Sequence, residues 1–120
     1  MRTIFASTLL CAGLVASAAL AQDGQQAFNN SCRTCHTVKE GDNRQGPSLF
    51  GVFGRKAGTM PGYNFSSSLA QSDITWDEAS LDKFIENPDQ VVNGNAMKPY
   101  GGLTDAAQRK LIVDYLKTAK

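Results

Sequence analysis

The stretch that decides the fold is Cys32-Arg33-Thr34-Cys35-His36. Two thiols three positions apart lie on one side of a helical turn, so each can add to one of two neighbouring haem vinyl groups. The next residue, His36, then sends its imidazole to the iron. This spacing predicts one covalently bound haem c, held through Cys32 and Cys35, with His36 as an iron ligand.

Three other uses of the cysteine pair are a redox dithiol, a structural zinc site and a plain disulfide. A thioredoxin-like dithiol needs a βαβ setting, which the sequence does not predict. Four-coordinate zinc needs a fourth ligand, and His36 is the only histidine of the chain. A disulfide is the default for two cysteines in an exported protein. The adjacent histidine favours haem attachment over all three.

The N-terminal segment predicts export. Arg2 gives a positive start, residues 4–18 are almost entirely apolar, and Ala19-Leu20-Ala21 has the small-x-small pattern read by signal peptidase. We therefore expect a signal peptide at 1–21 and a mature domain at 22–120, located in the periplasm of a Gram-negative-type bacterium. A retained anchor is the alternative, but the apolar run is shorter than the roughly 20 residues of a spanning helix. No membrane insertion is expected after cleavage.

Charge and length limit the partners and the core. The whole chain has 12 basic residues (Lys and Arg) and 11 acidic residues (Asp and Glu). Removal of residues 1–21 takes away Arg2 alone, which leaves 11 basic against 11 acidic residues. A neutral chain argues against nucleic acid as a partner. The remaining domain is short, so we expect the haem to form much of its hydrophobic core.

The pattern along the chain predicts an all-α fold. Asp23 can cap a first helix that runs toward Cys32. Thr75 and Glu78 have the spacing of a capping box, and Pro88 forbids continuation, which predicts a second helix over about 76–87.

A last helix and a long loop complete the pattern. Thr104 can cap this helix, and its apolar positions recur at helical spacing. We expect its apolar face to pack on the first helix; the residues are Ala107, Leu111, Ile112, Tyr115 and Leu116. The segment 41–62 is too rich in glycine and proline for regular structure, so we expect it to wrap around the haem.

The second iron ligand decides between electron transfer and chemistry at an open iron. Because His36 is the only histidine, a second histidine ligand is excluded, and Met60 and Met97 are the candidates that remain after export. Met97 lies in a loop between Pro88 and the last helix, which can cross the far face of the haem. We predict Met97 as the second iron ligand and interpret Met60 as a flexible core residue.

A series of motifs now resembles a known family, the class I cytochromes c, in its mitochondrial and bacterial cytochrome c2-like branch. In chain order these motifs are Gly24, Phe28, Cys32 to His36, Gly46-Pro47-Ser48-Leu49-Phe50-Gly51-Val52-Phe53-Gly54-Arg55-Lys56-Ala57-Gly58, Pro61-Gly62-Tyr63, Ile74-Thr75-Trp76, Glu86-Asn87-Pro88, Met97 and Tyr115-Leu116. The resemblance covers essentially the whole mature chain. It implies a cytochrome c fold: three main helices, short helices and glycine-rich loops wrapped around one covalently bound haem.

The resemblance also implies roles for residues outside the haem motif. The Pro47 carbonyl would accept a hydrogen bond from the His36 ring and fix its orientation. Arg55 and Trp76 would hold a buried haem propionate. Gly24 and Phe28 would meet Ile112 and Tyr115 where the terminal helices cross.

Departures from the family concern the haem pocket and the surface. Phe84 replaces a tyrosine, Asn95 replaces a threonine near a propionate, and Phe65 replaces a propionate-binding tyrosine. Four positions that carry lysine around the haem edge of mitochondrial-type proteins have lost it: Gln26, Ser31, Asp89 and Ala96. Arg33, Arg44 and Lys98 remain, so we expect partner association to depend only weakly on salt.

We interpret the chain as a carrier of single electrons rather than an enzyme. A redox partner would dock transiently at the haem edge, through a small and largely apolar contact. The partners would be a quinol-oxidising complex and a terminal oxidase or reductase in a respiratory chain, or a periplasmic dehydrogenase of which the protein is the dedicated acceptor. The alternative is a peroxidase or gas-binding haem protein with an open iron position, against which Met97 argues.

Overall fold

The computed structural model describes the backbone of residues 16–120 and the side chains of residues 23–120. Most of the predicted signal peptide lies outside these residues, so the export prediction stays a prediction. Among residues 16–120, no helix combines the length and the hydrophobicity needed to cross a membrane.

The described part of the chain contains five helices, joined by loops. They are α1 (Ala16–Ser31), α2 (Ser67–Ala70), α3 (Glu78–Glu86), α4 (Pro88–Val91) and α5 (Ala106–Lys117). Between residues 16 and 120 the only β pairing is an isolated antiparallel bridge between Lys56 and Thr75. The predicted all-α class, with three longer helices and additional short ones, is confirmed.

Two of the three predicted helix caps, Thr75 and Thr104, are wrong. In the full chain Asp23 lies inside α1, which begins at Ala16, so its predicted role as the cap of a chain that begins at residue 22 stays a prediction. The Thr75–Glu78 capping box is wrong because Thr75 pairs with Lys56 in the bridge and cannot begin a helix.

The observed caps are aspartates one or two residues further on. The side chain of Asp77 accepts from the backbone N–H of Ser80 at 2.8 Å, and the Ser80 hydroxyl oxygen accepts from the Asp77 N–H at 2.9 Å. Asp105 accepts from two N–H groups of α5, at 3.0 and 3.2 Å. Thr104 is not the cap; its carbonyl instead accepts a hydrogen bond from Arg109 Nη1 at 2.9 Å.

The terminal helices cross as the resemblance implies. The rings of Phe28 and Tyr115 lie 5.4 Å apart, centroid to centroid, and the Ile112 side chain is fully buried. A Cβ built on Gly24 would lie 3.3 Å from the Leu111 carbonyl oxygen and 3.4 Å from the Tyr115 Cβ. Glycine therefore lets α1 approach α5 closely. Because α3 also contacts α5, the three longer helices form one wall against which the loops close.

Candidate functional site

The haem motif continues the end of α1 as a further turn. The Cys32 N–H donates to the Phe28 carbonyl at 2.7 Å, and the His36 N–H donates to the Cys32 carbonyl at 3.0 Å. Cys32 and Cys35 are both free thiols, so the disulfide alternative does not hold in this structure. The helical turn brings the two thiols and the imidazole to one cavity.

That cavity has an empty volume of about 1300 Å³, part of which opens to solvent. Its wall brings together all of the site residues predicted from the sequence: Cys32, Cys35, His36, Pro47, Arg55, Trp76 and Met97. Much of the remaining wall is apolar and comes from the helices and the first loop, including Leu49, Val52, Leu81, Phe84, Ile85 and Leu116. Such a wall suits a large, flat, mostly apolar group.

The His36 ring is fixed in one tautomer. Its Nδ1 lies 2.7 Å from the Pro47 carbonyl oxygen, and since a carbonyl can only accept, Nδ1 carries the proton. Nε2 therefore keeps a lone pair that can bind a metal ion. Burial holds the pKa of the imidazole below its usual value, and the Pro47 carbonyl partly opposes that shift. The predicted contact between His36 and Pro47 is thus present.

Gly46 lies directly against the His36 ring. A Cβ built on Gly46 would lie 2.7 Å from His36 Nδ1 and 2.9 Å from Nε2, and closer still to Cε1. These distances are too short for real Cβ contacts, so only glycine leaves room for the ring. The Gly46 N–H also donates to the Cys35 carbonyl at 2.8 Å, which ties this glycine to the haem motif.

The Cys32 thiol is unlike a redox-active cysteine. Burial, and secondarily the neighbouring Cys35, raises the pKa of the Cys32 thiol to about 12. Cys32 therefore stays protonated near neutral pH, whereas a redox-active cysteine needs an accessible thiolate. In residues 16–120 there is no cluster of three or more His, Cys, Asp or Glu able to hold a metal ion by protein ligands alone.

Arg55 and Trp76 reach the cavity together because a short backbone pairing joins them. The Trp76 N–H donates to the Arg55 carbonyl at 2.8 Å. Within the cavity wall the indole of Trp76 packs against Phe84, with ring centroids 5.0 Å apart. The guanidinium of Arg55 donates to the Phe50 carbonyl at 3.2 Å, which holds its charge at the cavity wall.

The two candidate methionines both lie half-buried on the cavity wall. Met97 also packs against the hydrophobic core, and its N–H donates to Asn95 Oδ1 at 2.9 Å. The sulfur of Met60 lies 3.2 Å from Arg55 Nη1 and accepts a hydrogen bond from it. Sequence reasoning did not indicate this role, because nothing in the spacing of Met60 and Arg55 predicts a sulfur acceptor.

The residues present fit a haem. The cavity offers two thiols for thioether bonds, a neutral imidazole with its second nitrogen already hydrogen-bonded, a thioether sulfur, and a guanidinium in a mostly apolar wall. A family model described as Cytochrome c matches residues 21–120. The chain belongs to the cytochrome c family.

Known relatives agree with this membership. The chain is 46% identical over 89 residues to cytochrome c2 iso-2 of Magnetospirillum molischianum, covering 74% of this chain and 91% of the relative. It is 43% identical over 98 residues to cytochrome c2 of Rhodopila globiformis, covering 82% and 92%. A solved structure, cytochrome cH from Methylobacterium extorquens, superposes with a TM-score of 0.75 at 39% identity, covering 82% of this chain and 97% of that one. The predicted cytochrome c fold and the c2-like branch are confirmed.

This cytochrome c therefore carries one covalently bound haem c with iron, and it is an electron carrier rather than an enzyme. The haem supplies reversible one-electron chemistry when bound. The chain's own residues do the rest: they orient the His36 imidazole, exclude water with an apolar wall, and place a charged guanidinium at one point of that wall.

Proposed function

We propose that His36 and Met97 bind the iron from opposite faces, that Cys32 and Cys35 form the thioether bonds, and that Arg55 and Trp76 hold a propionate. The observation that carries this proposal is that all six line one cavity, with the Pro47 carbonyl hydrogen-bonded to the His36 ring. A methionine ligand fills the open iron position and raises the reduction potential, as suits an electron carrier downstream of quinol oxidation.

The test of the iron ligands is spectroscopic. Methionine-bound ferric haem of this family has a weak far-red band, which we expect in the wild type and expect to disappear in Met97→Ala. Met60→Ala is the matched control, since Met60 lies on the same wall and should leave the band in place. If Met60→Ala removes the band and Met97→Ala does not, the ligand assignment is reversed.

The second candidate function, a peroxidase or gas-binding protein, is tested on the same sample. An open iron would bind carbon monoxide readily in the reduced wild type. We expect slow and weak binding in the wild type and fast binding in Met97→Ala. Ready binding by a wild type that lacks the far-red band would favour the second candidate.

We further propose that residues 1–21 are removed on export and that residues 22–120 work in the periplasm. The family match, which begins at residue 21, supports this boundary. Mass spectrometry of the periplasmic fraction should find a chain that starts at Gln22. Ala21→Phe should block processing, because signal peptidase needs a small residue there. A wild type recovered at full length in the membrane fraction would contradict this proposal.

The partner is proposed to dock at the haem edge with little electrostatic steering. Two of the three cations left near that edge are paired with carboxylates: Arg44 Nε lies 3.1 Å from Asp42, and the Lys98 ammonium contacts Asp89. Paired and exposed charges generate only a weak field at a distance. We expect the rate of reduction by its partner to fall with rising salt by much less than the roughly tenfold or more that steering supplies.

The same assay separates a general respiratory shuttle from a dedicated acceptor. A quinol-oxidising complex and candidate periplasmic dehydrogenases are each mixed with the oxidised protein in a stopped-flow instrument. Fastest reduction by the quinol-oxidising complex supports the shuttle, and fastest reduction by one dehydrogenase supports the dedicated acceptor. A steep loss of rate with salt would show that a cationic docking surface remains.

A further inference from the structure

Met97 lies near the middle of a segment that we call the strap, residues 92–103. The strap leaves the end of α4 and reaches the start of α5 without any helix or strand of its own. Val92 and Leu103, at the two ends of the strap, each donate a backbone hydrogen bond to a residue outside it; between them the backbone pairs only locally, from the Asn95 N–H to Val92 and from the Lys98 N–H to Ala96. Contacts outside this local pattern must therefore decide where Met97 sits.

The first such contact is the buried side chain of Asn95, which is 6% exposed. Its Nδ2 donates to the Val92 carbonyl and to Asp89 Oδ1, each at 2.9 Å. Its Oδ1 accepts from the Met97 N–H at 2.9 Å. One amide group thus joins α4, through Asp89, to the backbone of Met97.

The second contact lies on the other side of Met97. The Tyr100 hydroxyl donates to the Ile85 carbonyl at 2.5 Å, and the Leu103 N–H donates to the same oxygen at 3.0 Å. Ile85 is the next-to-last residue of α3, so its carbonyl has no partner inside the helix. Burial raises the pKa of Tyr100 to about 12, which keeps the hydroxyl protonated and able to donate.

Gly102 makes this second contact possible. Its φ is +119°, and a Cβ at this position would collide with the Glu86 carbonyl oxygen. A side chain here would push the strap away from the end of α3. The strap is therefore held against α4 on one side of Met97 and against α3 on the other.

We propose that Asn95 and Tyr100 are positioning residues that clamp the strap on both sides of Met97 and keep its sulfur on the iron. This inference rests on the proposed ligation by Met97. An added ligand such as imidazole reaches the iron only when the strap opens. Its apparent affinity is therefore its affinity for the open form multiplied by the fraction of molecules that are open. Weakening either clamp raises that fraction.

The experiment titrates the ferric holoprotein with imidazole, following loss of the far-red band. Tyr100→Phe removes one hydroxyl and should tighten apparent imidazole binding about threefold to tenfold, the equivalent of one hydrogen bond. Asn95→Ala removes three hydrogen bonds and should tighten it by about tenfold or more. The double variant should show roughly the product of the two factors, because both clamps oppose the same opening.

Two further variants separate clamping from general loosening. Tyr63→Phe is the matched control, since its hydroxyl also donates to a backbone carbonyl, that of Gln45 at 2.6 Å, but lies outside the strap. We expect its imidazole affinity to stay near that of the wild type. Asn95→Thr keeps an oxygen that can accept from the Met97 N–H and should fall between wild type and Asn95→Ala.

Hydrogen exchange gives a readout that does not depend on the haem spectrum. Amides of residues 95–103 should exchange faster in Tyr100→Phe and Asn95→Ala, while those of α5 stay unchanged. If the wild type has the far-red band but Tyr100→Phe binds imidazole no more tightly than Tyr63→Phe, the clamp is refuted and Met97 ligation stands. If the wild type lacks the band, the proposed ligation fails, and the clamp fails with it.

Discussion

Replacement of Gly46 by alanine tests whether the His36 ring depends on a missing side chain. The new Cβ would lie 2.7 Å from Nδ1 and 2.9 Å from Nε2 of that ring. Ordinary van der Waals contact begins near 3.4 Å, so the ring or the loop must move by about 0.7 Å or more. Gly46 does not have a positive φ, so alanine causes no backbone strain there and the effect is purely steric.

The size of the effect follows from what such a movement breaks. The ring is held by the 2.7 Å hydrogen bond from Nδ1 to the Pro47 carbonyl and, under the proposed ligation, also by the iron. Overpacking of a closed site typically costs about 1–3 kcal/mol, and the strained hydrogen bond falls within that range. For a domain of this size, the free energy of unfolding falls by about 3 kcal/mol per molar of guanidinium. The unfolding midpoint should therefore fall by about 0.3–1 M.

The assay is guanidinium unfolding of the ferric holoprotein, followed by haem absorption and far-ultraviolet circular dichroism. Gly101→Ala is the matched control, because a Cβ there meets nothing within 4 Å and its φ is also not positive. The control should be neutral or stabilised by about 0.4–1 kcal/mol through a less flexible unfolded chain. Equal midpoints for Gly46→Ala and Gly101→Ala would refute the claim that this glycine makes room for the ring.

Three other changes address the frame around the haem. Because the Ile112 side chain is fully buried, Ile112→Ala should lower the free energy of unfolding by about 2–5 kcal/mol and Ile112→Val by about 0.5–1.5 kcal/mol in the same titration. Equal losses would contradict close packing where α1 crosses α5. Gly24→Ala should change stability by less than about 1 kcal/mol, because the helix propensity that alanine adds offsets the small shift its Cβ imposes at 3.3 Å from the Leu111 carbonyl oxygen. Gly24→Leu should destabilise by about 1–3 kcal/mol, because its longer side chain cannot fit between α1 and Tyr115, and a stable leucine variant would show that the helices can separate. The Ser80 backbone N–H holds the pKa of Asp77 below its usual value, so this cap stabilises the fold above about pH 4 and the stabilisation is lost as the pH falls further. The difference in melting temperature between wild type and Asp77→Ala should therefore shrink from pH 6 to pH 3. A constant difference would exclude the ionised cap.

Local patterns allowed much of the fold to be predicted. The haem motif spans five residues and needs only the geometry of one helical turn, which the backbone hydrogen bonds of Cys32 and His36 reproduce. The apolar spacing of the last helix likewise predicted that it packs on α1, but Ala107 of the predicted face is exposed, and Val113, which the spacing left out, is buried. Such features depend on neighbours within one or two turns, and the sequence order alone determines them.

The predicted helix starts at Thr75 and Thr104 are wrong because a different residue provides each cap and the backbone of each threonine has another partner. Thr75 has the right spacing for a cap, but its backbone pairs with Lys56, some twenty positions earlier, and the helix begins only after Asp77. Asp105, not Thr104, caps α5, and the Thr104 carbonyl accepts a hydrogen bond from the Arg109 side chain. A competing long-range partner does not appear in a capping pattern.

At the haem site, too, the sequence predicted which residues line the cavity but not most of the hydrogen bonds between distant residues. The seven predicted residues meet at one cavity, but the hydrogen bonds that hold the loops around it join positions far apart or without a recognisable pattern. Tyr100 bonds to Ile85, fifteen positions away, and Met60 offers its sulfur to Arg55. Neither partner choice follows from residue type, since tyrosine and methionine are common simple packing residues.

The cavity explains why these loop contacts are polar. In a domain this short, the cavity occupies much of the space where an ordinary chain would place its core, so the loops cannot be held mainly by burying apolar side chains against each other. Hydrogen bonds to carbonyls, such as those of Phe50 and Ile85, fix the loops without filling the volume that the haem needs. Each contributes only about 0.5–1.5 kcal/mol, so the loops should open at a lower free energy than the crossing of α1 and α5. The strap that carries Met97 is held by only a few such bonds, so under the proposed ligation Asn95 and Tyr100 would set how often the iron is exposed.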